Sequence, residues 1–337
     1  MVYFYLSNVS HLHHYFRCAE LYDVRAVSYS RKVKEFFERQ QIPCIHPPEE
    51  KLTDKLIAKR DVVEFAKTLS AIISPEDCFV ITERLIDYGS IALVKYLVKK
   101  NGIKVECWEN HSVTQGYQSI GFARLDLRTI LRIIKYFIKY GVLFENFYAH
   151  DNNYLGVSRG ALLKWGVSCK VLDRGDPLYI FDYSAKWRIK NFSDDLHKFV
   201  LFAVGYSIND ESGFYASTER KTIVDCLIKN VRNVRLKYPP ASESNGEYSS
   251  DIQINKEYLI EELFPNVDIL VSDYSTCLIT ASMMGVQAVS IIDMVEITNP
   301  DRHAFWKNYL TKWNVKKEIL FPKDVGELMA ICNAGRV

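Results

Sequence analysis

Short apolar runs rich in β-branched and aromatic residues alternate along this chain with stretches whose apolar positions recur every three to four residues. The first kind predicts strands over residues 2–6, 24–29, 78–82, 104–108, 146–149 and 170–172. The second predicts helices over 30–40, 55–73, 90–100 and 159–165. A β-α-β alternation of this kind implies a parallel sheet with helices on both faces. A second series starts at Phe199-Val-Leu-Phe-Ala-Val-Gly205. It continues with a helix over 218–229, strands over 234–237 and 269–272, a helix over 276–284 and a strand over 288–292. The expected fold class is therefore α/β, with two doubly wound, Rossmann-like units spanning 1–190 and 199–337. Such a tandem leaves a cleft in which ligands meet the carboxyl ends of the strands. The join is expected in the polar stretch 183–198, and 240–254, rich in Ser, Glu, Asn and Gly, is expected to be a mobile surface loop.

Composition narrows the function classes. A length of 337 residues suits two domains at roughly 100–200 residues each. With 48% hydrophobic and 25% charged residues, both halves can bury a core. The net charge of +2 excludes a molecule that binds polyanions as a whole, so no nucleic-acid partner is expected. Eight cysteines stand singly with no C-x-x-C pair, which leaves zinc without support and fits reduced, cytosolic thiols. The amino-terminal run has no basic region and no small-residue cleavage site, so it reads as a buried first strand of a cytoplasmic protein. No apolar stretch is long enough to cross a bilayer. The first strand is not followed by G-x-G-x-x-G, which disfavours NAD-linked chemistry.

Candidate chemistry concentrates where strands end. In Val271-Ser272-Asp273-Tyr274-Ser275-Thr276-Cys277 an apolar strand runs through a hydroxyl-rich turn into a helix, with Ser275 placed as its N-cap and Gly285 as its stop. Two readings stay open: a well-capped helix and nothing more, or phosphate capture by backbone N–H groups and hydroxyls. Lys237, at the end of the strand Val234-Arg-Leu-Lys237, is either a solvated loop lysine or a phosphate partner. In the first half, Trp108-Glu109-Asn110-His111 carries a strand into a polar turn. Glu109 is the first candidate for a general base and His111 the second. Asp173, in Leu172-Asp173-Arg174-Gly175, is a third, with a hinge or acceptor-positioning role as the alternative. His11, His13 and His14 lack a carboxylate or cysteine at ligand spacing, so no metal is expected. From Arg124 to Tyr140, Leu127, Ile130, Leu131, Ile134, Phe137 and Ile138 make an apolar face beside Arg124, Arg128, Arg132, Lys135 and Lys139. That segment is either a core-packing helix or an interfacial helix resting on anionic lipid, peripheral on the inner face of a membrane.

The segment Ile269-Leu-Val-Ser272-Asp273-Tyr274-Ser275-Thr276 with its helix resembles the S-S/T motif of bacterial sialyltransferases and polysialyltransferases. It is also similar to the S-D-Y-S-S segment of teichoic-acid polyol-phosphate polymerases. Leu236-Lys237-Tyr238-Pro239 stands where those families carry a K-x-H-P-like stretch, with Tyr238 in place of the histidine. Trp108-Glu109-Asn110-His111 is a loose match to the D/E-D/E-G motif of the former and the W-H-G of the latter. The second-half resemblance spans about Phe199 to Ile292 and implies a GT-B glycosyltransferase. It implies a donor site of Gly205, Lys237, Tyr238, Pro239, Ser272, Asp273, Tyr274, Ser275 and Thr276. The implied reaction is metal-independent, inverting transfer from a nucleotide sugar to a glycan or glycolipid acceptor in cell-surface polysaccharide synthesis, with no cofactor besides the donor as substrate. The implied donor is a CMP-linked acidic sugar such as a sialic acid or Kdo. The alternatives are a CDP-polyol phosphate transferase and a catalytically silent GT-B binding domain. Tyr238 matters to that choice, because a phenol with a reference pKa of about 10 is a far weaker acid than imidazole.

Overall fold

A strand covered on both faces must be apolar along its whole length, and the two runs that open the predicted units meet that condition. In the computed structural model the chain divides into two units, Met1–Ile180 and Phe181–Val337. The structure describes residues 1–7, 12–52, 59–82, 88–110, 127–140, 146–148, 154–156, 159–172, 198–204, 217–238, 248–255, 258–295, 300–311 and 316–334.

In the first unit, β1 (Val2–Leu6), β2 (Val24–Ser28), β3 (Cys44–Ile45), β4 (Cys78–Ile81) and β5 (Val105–Asn110) are followed by the antiparallel pair β6 (Asn146–Tyr148) and β7 (Tyr154–Gly156), then by β8 (Ser168–Leu172). Six of these build one parallel sheet in the order β3-β2-β1-β4-β5-β8. Its direction of growth reverses between β1 and β4, which is the Rossmann arrangement. The helices are α1 (Leu12–Leu21), α2 (Arg31–Arg39), α3 (Lys59–Ile72), α4 (Tyr88–Asn101), α5 (Leu127–Tyr140) and α6 (Arg159–Lys164). Ser28 Oγ donates to the Leu6 carbonyl at 2.6 Å and accepts the Ser30 N–H at 3.0 Å, while Ser30 Oγ caps α2 through the Val33 N–H. These short bonds turn the chain from β2 into α2, whose Phe36 and Phe37 are fully buried. Val62, Phe65 and Leu69 of α3 and Ile91, Val94 and Leu97 of α4 belong to one core with Tyr3, Tyr5, Phe79 and Val105.

The second unit contains β9 (Phe199–Ala203), α7 (Ser217–Asn230), β10 (Val234–Lys237), α8 (Ile260–Leu263), β11 (Val267–Ser272), α9 (Cys277–Met283), β12 (Gln287–Ser290), α10 (Pro300–Thr311) and α11 (Val325–Ala334). Its sheet is parallel throughout, in the order β10-β9-β11-β12. Growth reverses here between β9 and β11. All five residues of β9 are buried, and Ile223, Leu227, Leu328 and Cys332 of α7 and α11 close the same core. At one edge Gln253 bridges Leu236 and the Ile254 N–H donates to the Leu236 carbonyl at 2.8 Å. At the other, Leu320 bridges Val289, and the Ser290 N–H donates to the Leu320 carbonyl at 2.8 Å.

The α/β class with two Rossmann-like units is thus what the chain adopts, and several details correct the sequence expectations. Residues 146–148 form a small antiparallel hairpin with 154–156 instead of joining the main sheet, where β8 takes the place beside β5. α1 was not expected. Leu12, Tyr15 and Cys18 face the core at helical spacing, and His13 and His14 fall in its first turn. The predicted mobile loop is anchored at its far end, where 248–254 runs along β10 and Arg235 donates to the Asp251 carbonyl. All eight cysteines are described, and none is in a disulfide.

Gly285 ends the α9 turn at φ +85°, with nothing within 4 Å of where a Cβ would sit. Gly285→Ala should therefore meet no clash and cost about 1–2 kcal/mol from the left-handed backbone alone, read as a lower midpoint in urea.

Candidate functional site

Polar side chains in the second unit gather at the carboxyl ends of β9, β10, β11 and β12. Ser272 is fully buried, and its hydroxyl donates to the Ala203 carbonyl at 2.9 Å, pinning β11 to β9 where the sheet reverses. Asp273 follows. Its Oδ1 accepts the Tyr274 N–H at 2.9 Å, and its Oδ2 pairs with the Arg220 guanidinium of α7 at 2.6 Å, both side chains being buried. Ser290 Oγ donates to the Asp273 carbonyl from the end of β12. The Tyr274 ring rests against Trp306 of α10, with centroids 5.2 Å apart. Beyond β12, Asp293 binds His303 at 2.8 Å and Lys307 at 2.5 Å, which holds α10 to the same edge. The turn is therefore fixed from four sides, and Ser272 and Asp273 are its fasteners.

Ser275 is half-buried and Thr276 exposed. Ser275 was expected as N-cap; the helix instead starts at Cys277 with Thr276 flanking it, and Ser275 Oγ accepts the Cys277 N–H at 3.4 Å. The N–H groups of Leu278, Ile279 and Thr280 are taken by the Ser275 and Thr276 carbonyls. The turn thus offers an anion its two hydroxyls more than the backbone donors of the first helical turn. Thr276 makes no side-chain capping bond.

Lys237 ends β10 with only 4% of its surface exposed, and its Nζ donates to the Tyr238 carbonyl at 2.7 Å. The Tyr238 ring is 2% exposed and belongs to the core, so it packs the sheet and presents its carbonyl to the lysine. Glu261 of α8 was not singled out from sequence. Burial pushes its carboxyl up to about 7, against the opposing pull of the Lys237 ammonium. The residue as a whole keeps some exposed surface although its carboxyl is enclosed. Its charge is also felt by Cys277, whose thiol burial pushes up to about 12. A buried lysine at a strand end and, within its field, a carboxyl of α8 raised by burial are the kind of perturbed groups that mark chemical sites. The adjacent acids Glu261-Glu262 just ahead of an apolar strand were the available signal. Glu262 has the ordinary task, capping Leu259 N–H at 2.7 Å.

In the first unit, Glu109 is the last residue but one of β5, in register with Val171 of β8, and its backbone alone is described. Asn110 lies opposite Leu172, so the strands leading to Glu109 and to Asp173 are neighbours. Behind Glu109, Lys104 and Trp108 both bind the Glu106 carboxylate at 2.8 Å. His111, Asp173, Gly205 and Pro239 lie outside the described residues, as does His11. Thr82, following β4 where this sheet reverses, has a buried hydroxyl with no hydrogen-bond partner among the described residues.

No protein-family model and no curated protein matches the sequence. Solved structures of related shape include a glycotransferase of kitacinnamycin at 11% identity, covering 100% of this chain and 90% of that one with a TM-score of 0.45. The UDP-GlcNAc 2-epimerase from Methanocaldococcus jannaschii matches at 12% identity over 98% of this chain and 91% of that one, with a TM-score of 0.41. A variant of the wall teichoic acid polymerase TagF matches at 12% identity over 99% and 79%, with a TM-score of 0.43. Likenesses this distant assign the chain to no family.

A carboxyl whose pKa is raised on folding contributes stability that is complete below its unfolded value of 4.5 and is lost as pH rises through about 7. Thermal unfolding followed across that window should show the wild type losing stability with rising pH. Glu261→Gln should flatten the slope there and leave the acid end unchanged.

Proposed function

We propose that this chain is a metal-independent glycosyltransferase of the GT-B type that takes its nucleotide-activated donor at the carboxyl edge of the second sheet. The observation that carries this reading is Lys237 at the end of β10 and Ser275 and Thr276 after β11, with Glu261 of α8 within the electrostatic reach of Lys237 and Cys277, beside a turn fixed by Ser272 and Asp273. The ammonium and the two hydroxyls supply charge and donors for a departing phosphate, and rigid placement lets them act without reorganising. The donor is a cytidine nucleotide carrying an acidic sugar, as the motif resemblance implies, and the acceptor is a glycan or glycolipid.

As the bond between the anomeric carbon and the phosphate oxygen breaks, the electron pair leaves with the phosphate. Glu261, protonated near neutral pH, gives that oxygen a proton, the part the related families assign to a histidine and for which Tyr238 is too weak an acid. The acceptor oxygen bonds to the anomeric carbon and loses its proton to a base, for which Glu109 is the first candidate, then His111, then Asp173. One observation favours a second reading, a silent domain that only binds: the residue at the histidine position has its ring in the core.

A thermal-shift panel of CMP, CDP, UDP, GDP and ADP tests the donor assignment. Cytidine nucleotides should stabilise selectively, by ~2.7 kcal/mol at a hundredfold excess over Kd, and Ser275→Ala/Thr276→Ala should abolish the shift. An equal response to every nucleotide sinks the cytidine assignment, and no response favours the silent domain. With the donor so identified, Glu109→Gln should lower transfer ~10²–10⁴-fold while nucleotide affinity holds. If His111→Asn is the damaging change instead, the base is the imidazole and the chemistry moves toward polyol-phosphate transfer.

A further inference from the structure

α5 is a helix with three distinct faces. Thr129 and Ile133 are buried and Ile130 is partly buried against the first core, so one face holds the helix to its unit. Leu127, Leu131, Ile134, Phe137 and Ile138 are each between 49% and 75% exposed, and they are half of the exposed large apolar residues among those described. At about 100° per residue, Leu127, Leu131, Ile134 and Ile138 fall within an arc of about 60°, a continuous stripe along the helix. Arg128 and Lys135 are exposed and Arg132 is half-exposed, all on one flank of that stripe. The described helix contains no acidic residue.

We infer that this face of α5 lies on an anionic lipid bilayer, with the apolar stripe in the acyl boundary and the cations among the head groups. A patch of this kind on a water-facing helix marks a contact surface, and the charges decide which one. Pairing the stripe with a second copy of itself would bring Arg128, Arg132 and Lys135 toward their own counterparts with no acid on the described helix to separate them, and like charges beside an apolar seam oppose association. A surface of phosphate head groups complements the same flank, and Lys and Arg stems beside an apolar stripe can extend their charges toward it. At 14 residues the helix is too short to span a bilayer, and no described helix is long and apolar enough to do so. It therefore lies along the interface. The inference does not depend on the donor assignment and goes beyond it.

Sedimentation with vesicles of equimolar phosphatidylglycerol and phosphatidylcholine, against phosphatidylcholine alone, tests it on the full chain. Wild type should bind the anionic vesicles at low salt and release them at high salt. Arg128→Glu/Arg132→Glu/Lys135→Glu should weaken that binding on the order of a hundredfold. Leu131→Gln/Ile138→Gln should abolish it, and since both side chains are already in water, thermal midpoint and nucleotide shift should hold. Absence of wild-type binding to anionic vesicles overturns the inference, as does equal binding to both vesicle types. A dimer in sedimentation equilibrium that Leu131→Gln/Ile138→Gln breaks, without vesicle binding, assigns the stripe to a second copy instead.

Discussion

A parallel strand covered on both faces has no place for a polar side chain except at its end. This constraint orders the whole chain. Phe199–Ala203 is buried at every position, and Val2–Leu6 is nearly so. The interior of each sheet is therefore apolar, and whatever chemistry the chain performs is displaced to strand ends, where backbone groups and side chains need partners. In the second unit four consecutive strand ends deliver Ala203, Lys237, Ser272 and Ser290 to one edge. Lys237, Ser272 and Ser290 each donate to a carbonyl there, and the half-buried Ser275 and exposed Thr276 lie just beyond, so the strand ends fix the backbone and the turn presents hydroxyls.

Two carboxyl groups near this edge, Asp273 and Glu261, show the contrast most clearly. Asp273 has a guanidinium at 2.6 Å and a backbone N–H at 2.9 Å. An ion pair of this kind costs about as much to desolvate as it returns, but removing one partner strands the other and typically costs ~3–5 kcal/mol. Its value is therefore geometric: it sets where α7 meets the turn. Glu261 is governed by burial instead, which outweighs a bond from its own backbone N–H and the field of Lys237, and so it is held toward its neutral form. One carboxyl is locked as a strut and the other left close to a proton-transfer threshold.

The sequence made the sheets legible because parallel strands and their covering helices carry different periods, and the stop at Gly285 was readable for an equally local reason. α1 was hidden because two adjacent histidines sit among its apolar positions and read as loop. At the site, Ser272, Asp273, Tyr274, Ser275, Thr276 and Lys237 were found as a motif, but a motif does not say which member faces inward. Tyr238 and Asp273 look like ligand contacts in sequence, and burial gives one to the core and the other to Arg220. Glu261 could not be found that way, since its character comes from enclosure by residues distant in sequence. The exposed side of α5 was equally undecidable, because an amphipathic pattern gives the width of an apolar face without saying how much of it the fold covers.

The single-residue bridges on the second sheet have a further consequence. An open parallel sheet ends in two strands with unsatisfied N–H and C=O groups, which can template pairing with other chains. Gln253 lies against Leu236 on one outer strand and Leu320 against Val289 on the other, each with a backbone hydrogen bond of 2.8 Å nearby. These contacts are too short to count as strands, yet each occupies the middle of an outer strand with a segment of the chain itself. Aggregation through edge-to-edge addition is blocked there at the cost of one bridging residue per side, and a fragment cut before Leu320 would leave the β12 edge open to it.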